Sequence, residues 1–166
     1  MIRRQGNIMD LQPATQQRNK LGIPEISPYL NSLATNVDGV IAIHFYLSKL
    51  LPYDYQPFQV LELFSLLKQV FAPLKGQAFI LKNDDLIYIC QNSSSIYLDR
   101  CLSQFKRTLS ADTLIHGNLR PQTLYTVFPL TQKLEEFRRV INEIEENPLY
   151  KNRDLLKVKD QEGNHI

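Results

Sequence analysis

Apolar and polar positions along the chain predict an alternation of strands and helices. Residues 40–47 form a nearly continuous run rich in β-branched and aromatic side chains, which predicts a strand buried on both faces and central in its sheet. Two shorter apolar runs, 77–81 and 86–90, flank a four-residue polar turn and predict a β-hairpin. Residues 124–128 predict a fourth strand.

Three longer segments place apolar residues at the three- and four-residue spacing of amphipathic helices. The first begins at Pro57, the second follows the serines at 93–95, and the third follows Thr131 as its predicted N-cap. A short helix is also predicted near the start, with Ser27 as its cap and Pro28 at its first position.

The predicted order is strand, helix, hairpin, helix, strand, helix. This order predicts an α+β fold with an antiparallel-rich, ferredoxin-like or nucleotide-cyclase-like sheet and two helices packed on one face. The first strand–helix–strand unit is expected to make parallel neighbours, and the third helix is expected to cover an edge or mediate pairing. This architecture hosts cyclases, RNA-binding modules and ligand sensors, so the fold alone does not determine the function.

Length and composition predict a single globular domain. The chain has 166 residues, of which 43% are hydrophobic and 22% charged. We predict a flexible N-terminal arm over 1–20, one α+β domain over 21–147 and a polar tail or linker over 148–166. No run approaches the ~20 apolar residues of a membrane span and the start lacks a signal-peptide pattern, so a cytoplasmic location is expected.

The distribution of charge argues against nucleic acid as a partner. The net charge is +2, and the basic surplus lies in residues 1–20, whereas residues 21–130 carry equal numbers of each sign. A nucleic-acid-binding domain concentrates Lys and Arg on its folded surface. The hairpin offers Phe79 and Tyr88 for base stacking but lacks the Lys/Arg-Gly-Phe signature. An RNA-binding module is therefore a less favoured function for this fold.

The other side chains that could act as ligands or nucleophiles are predicted to have structural roles. His44 lies within an apolar strand and is expected to be a core histidine. Cys90 and Cys101 fall on the apolar faces of their elements, which is typical of buried, unreactive thiols. The sequence shows no metal-ligand spacing, nucleophile elbow or glycine-rich phosphate loop, so no catalytic residue, metal or cofactor is predicted.

The hairpin turn carries the most specific motif of the chain. With the order of elements around it, this turn resembles that of the GGDEF domain, the diguanylate cyclase family, whose Gly-Gly-Asp-Glu-Phe motif contacts guanine nucleotide and supplies an acidic metal ligand. By this resemblance Asp84 matches the family's Asp, while Asp85 and Leu86 stand for its Glu and Phe. Lys82 and Asn83 replace the glycines. A second interpretation stays open, in which these residues only form the turn, because Asn and Asp side chains bond their own backbone.

Departures from the family pattern indicate a degenerate member. The family has a metal-binding Asp at the end of the first strand, whereas residues 44–52 contain no carboxylate before Lys49, which matches the family's lysine. Where the family has its inhibitory Arg-x-x-Asp motif, this chain has the stretch Pro73–Gly76, in which Pro and Gly replace the two charged residues. Magnesium in phosphoryl transfer binds through carboxylates and phosphates. The resemblance therefore implies neither cyclase activity nor product inhibition.

These patterns together predict a non-catalytic regulatory or scaffolding module in bacterial signalling, which acts through protein–protein contacts or self-association. The alternative is a domain that senses guanine nucleotide or another small ligand without turnover. An active cyclase with a rearranged metal site is the least favoured of the three. The predicted contact surfaces are the ends of the module and the exposed face of the third helix, which carries Glu135, Glu136, Arg138 and Glu143. The candidate ligand- or partner-binding residues are Lys82, Asn83, Asp84 and Asp85.

Overall fold

The structure, a computed structural model, describes residues 22–33, 36–91, 95–111 and 124–147. The predicted arm at 1–20 and the predicted tail at 148–166 lie outside these residues. Within them, no helix is both long and apolar enough to cross a membrane. The elements in chain order are α1 (Ile26–Leu33), β1 (Val40–Phe45), α2 (Pro57–Phe71), β2 (Gly76–Ile80), β3 (Leu86–Gln91), α3 (Ser95–Ala111), β4 (Tyr125–Pro129) and α4 (Leu130–Glu146).

The four strands form one antiparallel sheet in the order β2-β3-β1-β4. The α+β class is confirmed, and β1 is central as predicted, since it pairs with both β3 and β4. The expectation of parallel neighbours was wrong, because β3 lies between β1 and β2 and every adjacent pair is antiparallel. The short hairpin holds β3 against β2, and β1 pairs with the free edge of β3, so α2 connects two strands that do not touch.

Helices cover both faces of the sheet. Ile41 and Ile43 of β1 pack with α2 and α3, whereas Val40 and Ala42 pack with α1 and α4 on the other side. The pair α2 and α3 forms the predicted layer on one face, and α4, expected at an edge, lies on the opposite face. Because β1 and β3 are apolar on both sides, one helical layer alone would leave half of each strand in water.

Two helices begin earlier than their predicted caps. α4 begins at the buried Leu130, and the hydroxyl of Thr131 donates instead to the carbonyl of Val37 at 3.2 Å. α1 begins at the buried Ile26, one residue before the predicted cap Ser27. In both cases an apolar side chain is buried in the first turn of the helix. The residue predicted as the cap therefore lies inside the helix.

The aromatic side chains of the hairpin are part of the core. Phe79 is 0% exposed and Tyr88 is 3% exposed. The Tyr88 hydroxyl accepts the N–H of Gly76 at 2.8 Å and donates to the carbonyl of Phe71 at 3.0 Å, so it links the start of β2 to the end of α2. Buried rings offer no stacking platform for bases, which removes the main support for RNA binding at these strands.

Candidate functional site

The hairpin turn is a compact loop closed by two backbone hydrogen bonds. The N–H of Asp84 donates to the carbonyl of Leu81, and the N–H of Leu81 donates to the carbonyl of Asp85, both at 2.9 Å. Asp84 has a left-handed φ of 70°, a conformation that Asp adopts more readily than most residues. Asn83, Asp84 and Asp85 are all buried. Three of the four candidate residues therefore face the protein interior.

Asp85 is the centre of a buried hydrogen-bond network. Its Oδ2 lies 2.7 Å from Nε2 of His44 and accepts the side-chain amide of Asn83 at 3.0 Å. Its Oδ1 accepts the backbone N–H of Ser48 at 2.9 Å. Asn83 in turn accepts the N–H of Asp85 at 3.0 Å. Asp85 is only 2% exposed, so these bonds replace the hydration that it loses on folding.

Sheet register brings His44 and Asp85 together. His44 is paired with Ile87 in the β1–β3 ladder, and Asp85 precedes Ile87 by two residues on the same face. The histidine is buried, as the sequence pattern predicts, and its ring lies 4.5 Å from that of Tyr46. Nδ1 of the same ring is also buried, and no group of the described residues makes a hydrogen bond with it.

The charged form of Asp85 is stabilised by its partners. Burial raises the pKa of the Asp85 carboxyl, but the hydrogen bond and charge of His44, together with hydrogen bonds from Ser48, outweigh burial and lower this pKa below its ordinary value. The carboxylate is therefore ionised in the folded protein at neutral pH.

We expect the stability of the fold to fall in acid in a way that Asp85 controls. Because its pKa is lower in the folded than in the unfolded chain, where Asp titrates near about 3.9, its contribution is present above that value and is lost as pH falls through the folded pKa. Denaturant unfolding at a series of pH values from about 6 downwards measures this slope. Asp85→Asn should flatten it, and an unaltered slope in this variant would contradict the assignment.

The other two candidate residues fasten the turn to separate elements. The hydroxyl of Tyr55, which precedes α2, donates to Oδ2 of Asp84. The backbone N–H of Lys82 donates to Oε2 of Glu145 at 2.8 Å, and its ammonium group donates to the Glu145 carbonyl at 3.0 Å. Glu145 belongs to the last turn of α4. Lys82, Asp84 and Asp85 therefore each bond another part of the chain, whereas Asn83 bonds Asp85 within the turn.

This arrangement is suited to holding elements together. Within the part of the chain that the structure describes, no group of three or more His, Cys, Asp or Glu side chains could hold a metal ion. Asp84 and Asp85 contact Tyr55 and His44, respectively, and do not share a centre. Sequence reasoning missed Ser48, Tyr55 and Glu145 as partners, because they lie 29 to 63 residues away and belong to no local motif.

The two cysteines are free and buried, as predicted. Burial raises the pKa of Cys90 to about 11, and the neighbouring Cys101 acts in the same direction. Burial also raises the pKa of Cys101. Since the thiolate is the nucleophile, both thiols are protonated and unreactive at neutral pH.

Comparison of the chain with family models, with curated proteins and with solved structures gives no match. The resemblance of the hairpin turn to the GGDEF motif therefore rests on the sequence alone and stays a prediction.

Proposed function

We propose that this chain is a non-catalytic regulatory or scaffolding module in bacterial signalling, which acts through contacts with another protein or a second copy of itself. The observation that carries the proposal is the internal use of the hairpin turn. Residues 82–85 all bond to their own chain, and three of them are buried. A site that binds and turns over a ligand needs polar groups directed at that ligand. Here these groups are directed at the fold.

The His44–Asp85 pair supports the loss of metal chemistry in a GGDEF-like scaffold. In that family an acidic residue at the end of the first strand cooperates with the acidic residue of the turn in metal binding. Here His44 stands near the end of β1 and meets Asp85 directly, at 2.7 Å. Two facing carboxylates need a cation or a shared proton, whereas a histidine satisfies a carboxylate without either.

The outer surface of α4 is the contact surface that we propose. Its apolar side chains Phe137, Ile141 and Ile144 are buried on the sheet side. Glu135, Arg139 and Glu143 point outward and line a shallow groove along the helix. Alternating charges of this kind suit the polar rim of a protein interface, where they set partner choice and association rate. The prediction of Arg138 on this exposed face was wrong, because its side chain is half-buried and donates to the carbonyl of Leu30 at 3.3 Å, which joins α4 to α1.

Incubation with GTP and Mg²⁺ tests the absence of catalysis. We expect no cyclic di-GMP and no heat of binding in a calorimetric titration with GTP, with an active diguanylate cyclase as the positive control. Binding without a product would favour the alternative, a nucleotide sensor. A product whose formation is abolished by substituting Asp84 and Asp85 would overturn the proposal.

Charge reversal on α4 tests the contact surface. The full chain is used to capture partners from bacterial lysate, and its self-association is measured by sedimentation velocity. We expect the double variant Arg139→Glu, Glu143→Lys to lose whichever of the two interactions the parent shows. Both positions are exposed, so the fold should be unaffected. Arg107→Glu on the exposed surface of α3 is the matched control. Loss of the partner in the control, with retention in the α4 variant, would contradict the assignment of this surface.

A further inference from the structure

We propose that the hairpin turn, residues 82–85, is a coupling element that makes the last turn of α4 and the connection between β1 and α2, residues 46–56, depend on each other. This inference goes beyond the proposed function, because the coupling is a property of the chain and requires no partner. It assigns to the turn a conformational role in place of ligand binding.

One side of the turn is attached to the end of α4. Lys82 donates two hydrogen bonds to Glu145, from its backbone N–H to Oε2 at 2.8 Å and from its ammonium group to the main-chain carbonyl at 3.0 Å. The ammonium contact reaches a main-chain carbonyl in the last helical turn, where carbonyls lack intrahelical partners and the helix dipole favours a cation. Lys82 and Glu145 are both half-buried, which shields the contact from solvent.

The other side of the turn is attached to the β1–α2 connection at two points. Asp85 accepts the backbone N–H of Ser48 at 2.9 Å, and Asp84 accepts the hydroxyl of the buried Tyr55. The same carboxylate of Asp85 holds His44 at the end of β1. The same four-residue turn therefore contacts α4 through Lys82 and the connection through Asp84 and Asp85.

The turn has little freedom to open one contact at a time. Its two closing backbone bonds and the left-handed Asp84 fix the path of the chain, while Asn83 and Asp85 bond each other through side chain and backbone. Displacing one residue leaves buried polar groups of its neighbours unsatisfied, so the turn opens as a cooperative unit. Coupling of this kind is reciprocal. An event that unwinds the end of α4 will loosen Ser48 and Tyr55, and ordering of the connection will strengthen the end of α4.

Amide hydrogen exchange measured by NMR on the full chain tests the coupling, because two amides report its two sides. The Lys82 N–H reports the contact with α4, and the Ser48 N–H reports the contact with Asp85. Glu145→Ala should raise exchange at both amides by about tenfold, the effect of one hydrogen bond to a charged group. Gln132→Ala, at an exposed position on the same helix outside the proposed contact surface, should change neither.

The reciprocal variant distinguishes coupling from local fraying. Asp85→Asn removes the charge on the far side of the turn and should raise exchange at Lys82 as well as at Ser48. Lys82→Met, which keeps the backbone N–H and removes only the ammonium contact, is the milder variant if Glu145→Ala lowers global stability, and it should raise exchange at Ser48 to a smaller extent. A rise at Lys82 alone after Glu145→Ala, with Ser48 unchanged, would overturn the proposal.

Discussion

Replacing Asp85 with alanine should lower the free energy of unfolding by about 3–5 kcal/mol, the range typical of breaking a buried charged pair by removing one partner. The variant removes the acceptor shared by His44, the Ser48 N–H and the Asn83 amide. Each buried donor that loses its acceptor costs about 1–3 kcal/mol. Water cannot readily replace the carboxylate, because the site is closed to solvent in the folded protein.

Denaturant unfolding of the parent and the variant measures this loss. Asp54→Ala is the control, since Asp54 lies in the same β1–α2 connection but is exposed, and it should change stability by no more than about 0.5 kcal/mol. Asp85→Asn should fall between the two, because its side-chain oxygen retains one acceptor. Equal effects of the alanine substitutions at 54 and 85 would show that the Asp85 network contributes little to the fold.

The strands and helices follow from local patterns, which is why the sequence predicts them. The apolar run of β1 needs neighbours on both edges and cover on both faces, and the structure supplies both. The amphipathic pattern of α4 shows which of its sides is apolar, but it does not show which face of the sheet that side covers. The face that α4 covers depends on its packing against α1. The Leu30 carbonyl of α1 accepts a hydrogen bond from the guanidinium group of Arg138 in α4.

The polar contacts of the turn could not be predicted in the same way. Asn83, Asp84 and Asp85 suit a turn by their own chemistry, and this much the sequence indicates. Their partners depend on the register of β1 against β3, since a shift of one residue would carry His44 to the opposite face. The partners of this acidic turn can therefore be assigned only once the register is known.

Gly76→Ala should be the other strongly destabilising substitution, with a loss of about 3 kcal/mol. A Cβ atom at this position would lie 2.3 Å from the carbonyl oxygen of Ile89 and 2.7 Å from both Cβ of Cys90 and the ring of Tyr88. Ile89 lies in β3, and its main chain pairs with β2 on one side and with β1 on the other. It cannot move away without disturbing both ladders.

The added methyl group should also break the link between β2 and α2. To relieve the overlap, Gly76 must move away from β3, and its N–H then leaves the Tyr88 hydroxyl that also bonds Phe71. Unfolding measurements with Gly22→Ala as the control separate the cost of steric overlap from the cost of an unfavourable backbone conformation. Gly22 has a positive φ of 75° but nothing within 4 Å of a built Cβ, so that variant carries only the conformational penalty of about 1 kcal/mol. If the two variants lose equal stability, the start of β2 yields at little cost and the close approach to β3 is not a constraint on the sheet.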